Sequence, residues 1–356
     1  MATENNKHWS VTVKQAEDII VSAVKYNLEL ASNPTSGWAD KVVLQLIGNP
    51  GIGKTALSKS AAKKAGVQFE SFCLTQMDPI IIGGMKFFDE SKREMYTNKP
   101  EWVKTEGEWL ILIDEWAQSS LMAKNIFGEP LNEHKIGPYD LSPFLTLILA
   151  SNPASAKAGT TATPSQIRDR TTDLYIEPSF KEWITMAKEN GVHPMVTSYL
   201  QFQESAFNQF DPNLDKNATQ RSWTKVSQIL KMGLNEWGEM ACIAGQIGEG
   251  FAGGFEAYRR VYMDLPRPES IIADPDNAPI FSSDRSDVLY AIIGMLSYYM
   301  NRKNIGPIIQ YASRLPGEWG MFLMKDAFTR DKTLCSTKEG SKWLATDGKD
   351  MILGTS

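Results

Sequence analysis

Apolar residues recur at helical spacing between residues 12 and 31. Ala16, Ile19, Ile20, Ala23 and Val24 return every three or four positions behind Thr12 and Gln15, a pair at capping-box separation. The pattern predicts an amphipathic helix, followed by a loop carrying Asn33, Pro34 and Gly37. Four later segments are short and largely apolar, at residues 42–47, 69–74, 109–113 and 144–150, with a weaker fifth at 173–176. Runs of this length suit strands buried on both faces of a parallel sheet. Residues 56–65 read as a helix ended by Gly66. Strands alternating with helices predict a parallel α/β sheet, whose ligands bind beyond the carboxyl ends of its strands.

From residue 180 onwards the strand pattern stops. Residues 180–190, 195–207, 222–234 and 287–302 read as helices, and Pro266, Pro268, Pro275 and Pro279 mark a proline-rich connection. The expected division is a helix and linker over 1–40, an α/β core over 41–178, a helical lid over 179–263 and a helical extension over 264–356. Residues 1–40 are expected to hold no separate recognition domain. No internal repeat of fixed period is present.

Composition narrows the function class. The 356 residues are 42% apolar and 22% charged, ordinary values for a globular protein. A net charge of −5 counts against a protein that chiefly neutralises nucleic-acid phosphates. Cys73, Cys242 and Cys335 are far apart, and the chain has three histidines, so neither a disulfide framework nor a zinc site is expected. The first ten residues lack the apolar stretch of a signal peptide. No window approaches the ~18 consecutive apolar residues of a membrane helix. No membrane insertion and a cytoplasmic setting are expected.

The chemistry is concentrated at the strand ends. Gly48, Asn49, Pro50, Gly51, Ile52, Gly53, Lys54 and Thr55 complete the phosphate-loop pattern between a strand and a helix, and Ala56 continues into that helix. Glycines there let backbone N–H groups turn toward phosphate oxygens, at the positive end of the helix dipole. Lys54 should reach the β- and γ-phosphates of ATP, and the Thr55 hydroxyl should ligate Mg²⁺. Asp114 and Glu115 end the third strand. An acidic residue on a neighbouring strand holds the Mg²⁺ shell in such enzymes, a role that falls to Asp114. Glu115 can orient the attacking water or take its proton. Asn152, just past the fourth strand, can hold that water or the γ-phosphate, or serve as a turn residue before Pro153. Thr163, Pro164 and Gln166 signal a helix start with a Thr163 cap, and Arg168 and Arg170 follow. Either arginine could be donated to a neighbouring subunit's γ-phosphate, or could be a plain surface charge. Gly248, Gly250 and Gly253 match a dinucleotide fingerprint, but they lie in the helical half without the strand that the fingerprint requires.

In this order the motifs resemble the AAA+ ATPases, most of all the MoxR-like branch with its phage-encoded members. The resemblance spans roughly residues 42–343. It includes Gln76-Met77-Asp78-Pro79 before Gly83-Gly84, Asn152-Pro153, Glu182-Trp183, and the run from Arg221 to Ser227. It implies a parallel-sheet P-loop AAA+ core followed by an all-helical lid and a C-terminal helical region. It implies Lys54 and Thr55 as Walker A, Asp114 and Glu115 as Walker B, Asn152 as sensor 1, Arg170 as arginine finger and Arg221 as sensor 2. Arg170 is preferred to Arg168 because it follows Asp169. The chain departs from the family's pattern at Thr171, where Phe is usual, and at Gln220, where Pro is common. The resemblance further implies a homo-oligomeric ring, expected to be a hexamer, that hydrolyses ATP to ADP and phosphate and remodels a protein client. A partner carrying a von Willebrand factor A domain is also implied.

Residues 80–85 occupy the family's pore-loop position, where apolar side chains could grip a polypeptide; a buried strand edge with a turn is the other reading. Residues 132–141 resemble a hairpin insertion. The competing function is a nucleic-acid motor, which uses the same ATP site but needs a basic pore or DNA-binding module, and nucleic acid is not expected as a partner. A phosphotransferase is disfavoured by Glu115 beside Asp114, which suits attack by water.

Overall fold

The computed structural model describes residues 8–33, 37, 40–156 and 159–348. Residues 1–7 of the polar N-terminus and Pro34 of the expected loop lie outside the described residues. The chain divides into two compact units, Met1–Ser179 and Phe180–Ser356.

The first unit runs β1 (Ser10–Thr12), α1 (Val13–Ala31), β2 (Leu44–Ile47), α2 (Lys54–Ala65), β3 (Gln68–Cys73), α3 (Pro79–Gly83), β4 (Lys86–Asp89) and β5 (Glu94–Thr97). It continues with β6 (Trp109–Asp114), α4 (Leu121–Ile126), α5 (Gly128–Glu133), β7 (Lys135–Ile136), β8 (Tyr139–Asp140), β9 (Leu145–Ser151), α6 (Ser165–Arg168) and β10 (Thr172–Glu177). Six strands form one sheet in the order β1-β10-β2-β9-β6-β3, with every pair parallel. Leu110 and Leu112 of β6 and Ile148 of β9 enter one core cluster, while Ile111, Ile113, Leu147 and Leu149 enter the other. Both faces of the sheet are therefore covered, which is why these strands read as unbroken apolar runs.

Two details correct the sequence expectations. The strand carrying Asp114 is not the immediate neighbour of the phosphate-loop strand, because β9 lies between β2 and β6. Asn152 is thereby placed centrally. The other is β1, too short for a periodic signal, which pairs with β10 from Ser10↔Tyr175 to Thr12↔Glu177. Its last residue caps α1: Thr12 Oγ1 accepts from Gln15 N at 3.3 Å, and Gln15 Oε1 accepts from Thr12 N at 2.9 Å. The capping box expected from the sequence is present.

Two antiparallel hairpins interrupt the alternation, β4 with β5 and β7 with β8. The second is the hairpin expected within residues 132–141. Residues 79–83 form a helical turn, which overturns the strand-edge reading: Ile82 is buried, whereas Ile80 and Ile81 are exposed. Gly84 ends the turn at φ +91°, and a Cβ there would lie 2.5 Å from Thr97 Cγ2. Only glycine fits.

The second unit is helical. It comprises α7 (Phe180–Glu189), α8 (Pro194–Phe202), α9 (Gln220–Leu230), α10 (Glu236–Ile247), α11 (Glu249–Met263), α12 (Pro268–Ala273), α13 (Ser286–Tyr299), α14 (Ile305–Ala312), α15 (Trp319–Arg330) and α16 (Lys338–Thr346). One buried cluster gathers around Trp183, Tyr199, Trp223 and Phe255, a second around Leu289, Ile308, Leu323 and Trp343. A buried ion pair between Lys188 and Asp326 links α7 to α15. The Gly248–Gly253 stretch follows α10 and opens α11, with no strand before it, so the fingerprint lacks the context it requires. Among the described residues no helix is long and apolar enough to cross a membrane.

Candidate nucleotide site

Four parallel strands deliver the site residues. The loop after β2 turns back on Gly51 (φ +84°) and Gly53 (φ +98°), left-handed angles that a side chain disfavours. A Cβ on Gly53 would meet nothing within 4 Å, so the cradle in front of α2 is open. The first turn of α2 has no side-chain cap, which leaves its N-terminal end free to receive an anion. Ile52 is buried in the core and anchors the loop. Ala56 is exposed on the first turn of α2.

Lys54, 8% exposed, folds back over this loop. Its Nζ donates to Gly48 O at 2.6 Å and to Asn152 Oδ1 at 3.0 Å. Thr55 Oγ1 donates to Asp114 Oδ2 at 3.0 Å. The loop after β2, the end of β6 and the end of β9 therefore meet at one point. A hydroxyl beside a carboxylate suits Mg²⁺, which keeps several waters and uses few protein ligands. Among the described residues no group of three or more His, Cys, Asp and Glu side chains could hold a metal.

Glu115 is a backbone outlier, at φ +56° and ψ +33°. Its N–H donates to Asp114 Oδ1 at 2.9 Å. A non-glycine residue held in the left-handed region is strained, and such strain gathers at functional positions. Two donors that the sequence did not single out engage its carboxylate: the Thr75 hydroxyl, and the Cys73 thiol at 3.1 Å. These hydrogen bonds, Thr75 first, hold the Glu115 carboxyl below its usual range. Burial pushes the Cys73 thiol up. The contact follows from strand register, because Cys73 of β3 lies opposite Asp114 of β6. No local motif marks it.

Arg168 and Arg170 are exposed and lie at the other end of the sheet. Arg170 precedes β10, whose residues Thr172 and Tyr175 pair with Leu44 and Ile47 of β2. At ~3.3 Å per residue, roughly 15 Å of strand separates it from the phosphate loop of its own chain, beyond an arginine's reach. It lines a cleft of about 700 Å³ together with Lys41, His134, Gln166 and Asp169. Burial lowers Lys41 to about 7; burial, then Lys41, lowers His134 to about 3. The helix before Arg170 starts differently from expectation. Its cap position is Pro164, without a side-chain bond. Thr163 Oγ1 instead accepts from Trp116 Nε1 at 3.3 Å, because the buried indole needs an acceptor. Arg221 lies in the second unit, exposed on the first turn of α9 behind the Thr219 cap.

No family model and no curated protein matches the chain. Among solved structures it is similar to the Thermotoga maritima RuvB Holliday junction branch migration motor (12% identity over 72% of this chain and 74% of that one, TM-score 0.36). It is similar to NtrX from Brucella abortus (13%, 64% and 52%, TM-score 0.38) and to a candidate ATPase from Cytophaga hutchinsonii (17%, 89% and 84%, TM-score 0.32). Likenesses this slight carry no functional argument, which rests on the geometry above.

Proposed function

We propose that the chain is an Mg²⁺-dependent ATPase, MoxR-like in type, that works as a homo-oligomeric ring and remodels a protein or protein complex. The observation that carries the reading is the convergence of Lys54, Thr55, Asp114 and Asn152 on one open, glycine-lined loop. ATP with its Mg²⁺ would supply the electrophilic γ-phosphoryl group. Lys54 and the loop N–H groups would hold the phosphates, and Thr55 and Asp114 the metal. Glu115 accepts the proton of the attacking water, and Asn152 orients that water.

Arg170 supports the ring. It sits too far along the sheet to serve its own loop, so its candidate role is to neutralise charge at the site of a neighbouring copy. Arg221 is proposed as sensor 2 on the sequence resemblance. Ile80, Ile81, Phe87, Phe88 and Met95 are exposed on α3 and the adjoining hairpin, and this apolar surface suits a polypeptide client. A hexamer, a lid over 179–263 with an extension over 264–356, a von Willebrand factor A partner and a cytoplasmic setting complete the proposal on the same resemblance.

The test is ATPase activity against protein concentration, with products identified. The reading expects free phosphate as the only transfer product and a specific activity that rises as the chain assembles. Equal specific activity from a strictly monomeric species would refute the ring, and stimulation by DNA would favour a nucleic-acid motor.

A further inference from the structure

Lys124 of α4 is fully buried, and no carboxylate pairs with it among the described residues. Its Nζ donates to three uncharged oxygens: Ala117 O at 3.1 Å, Thr161 O at 2.7 Å and Thr161 Oγ1 at 2.6 Å. Those bonds use every donor of an ammonium group. Burial lowers its pKa. A cation removed from water to bind backbone carbonyls is a costly way to fill space.

The bonds join two segments. One is the turn Trp116–Gln118, which begins immediately after Glu115. The other is the stretch around Thr161, which leads to α6 and Arg170. Thr161 N–H donates to Ala117 O at 2.8 Å, and Thr161 Oγ1 donates to Ser119 O at 2.7 Å. Trp116 reaches Thr163, and Ile167 of α6 shares its buried cluster. Arg170 N–H is bonded to Ile167 O at 3.0 Å. Glu115 and Arg170 are thus attached to opposite sides of one block, with Lys124 at its centre.

We infer that Lys124 is a positioning residue that fixes the Glu115 turn against the segment carrying Arg170, setting the two in register. The inference rests on the proposed roles of Glu115 and Arg170. Misplacement by about 1 Å of a group acting in the transition state is enough to cost orders of magnitude in rate.

The experiment uses the full chain as Lys124→Met, Lys124→Arg and Glu115→Gln, with steady-state ATPase, ATP affinity and thermal melting measured for each. Lys124→Met is expected to lower kcat about tenfold while KM and ATP affinity stay within about threefold, the pattern of an interaction felt in the transition state. Lys124→Arg, which restores donors to the same carbonyls, should recover most of the loss. Parent-level kcat in Lys124→Met overturns the inference. So does a loss of binding that tracks melting with no recovery in Lys124→Arg, since that is a merely structural role. Should Lys124→Met not fold, Thr161→Val decides in the same way, a lowered kcat at unchanged KM supporting the clasp and a parent kcat removing it. Glu115→Gln separates the two readings: parent-rate hydrolysis there would refute the site itself, whatever Lys124 does.

Discussion

Lys54 Nζ donates to Asn152 Oδ1 at 3.0 Å, joining the phosphate loop after β2 to the end of β9. The contact exists because β9 lies between the strand of the phosphate loop and the strand of Asp114. It places an amide beside the Lys54 ammonium group, and Glu115 follows Asp114 on the next strand. The geometry of the candidate site is therefore set by sheet order.

Asn152→Ala should lower kcat about tenfold to a hundredfold and leave ATP affinity within threefold, because the amide acts on the attacking water more than on the bound nucleotide. Lys54→Ala should instead abolish measurable ATP binding. Equilibrium titration with a fluorescent ATP analogue, set beside steady-state rates, distinguishes the two.

Glu115→Gln should bind ATP and hydrolyse it at least a hundredfold more slowly, since a carboxamide cannot accept the proton from water. A pull-down with this variant held in ATP should retain the client. Hydrolysis at the parent rate would remove Glu115 from its role.

The pH dependence follows from Thr75. Its hydrogen bond is the largest cause of the lowered Glu115 pKa. A lowered pKa keeps the carboxylate ionised to lower pH, so the acidic limb of kcat/KM should lie below the ordinary glutamate value near 4.3. Thr75→Val removes the donor and should move that limb upward. A limb that does not move would show that Glu115 is not the group being titrated.

Stability of the second unit should depend on the Lys188–Asp326 pair. Both side chains are under 10% exposed. Burial lowers the Lys188 pKa and Asp326 opposes that shift. Lys188→Met strands a buried carboxylate and should cost about 3–5 kcal/mol, whereas the double replacement Lys188→Met with Asp326→Leu should restore much of it. Denaturant melts of the full chain, followed by tryptophan fluorescence, measure both.

Much of the site was legible in the sequence because its chemistry is local. The glycines, Lys54 and Thr55 lie in consecutive positions, and each apolar strand announces the polar residue at its end. What escaped depends on residues far apart in the chain. Thr75 reaches Glu115 only because β3 pairs with β6, and no sequence motif marks Lys124, which donates from α4 to Thr161. Thr163 had the right residue type and spacing for a cap, yet the Trp116 indole claimed its oxygen. The position of β9 between β2 and β6 is likewise not encoded by periodicity.

Completion of each site by a neighbouring copy, as proposed, is tested most directly by mixing two inactive variants. On the proposed roles, Lys54→Ala keeps Arg170 but should not hold nucleotide, and Arg170→Ala should hold nucleotide but lack the trans arginine. In a head-to-tail ring assembled from a random one-to-one mixture, about a quarter of the interfaces join an intact loop to an intact Arg170. ATPase activity, absent from either variant alone, is expected to return on mixing. Continued silence of the mixture, with assembly verified, or full activity in Arg170→Ala alone, would contradict it.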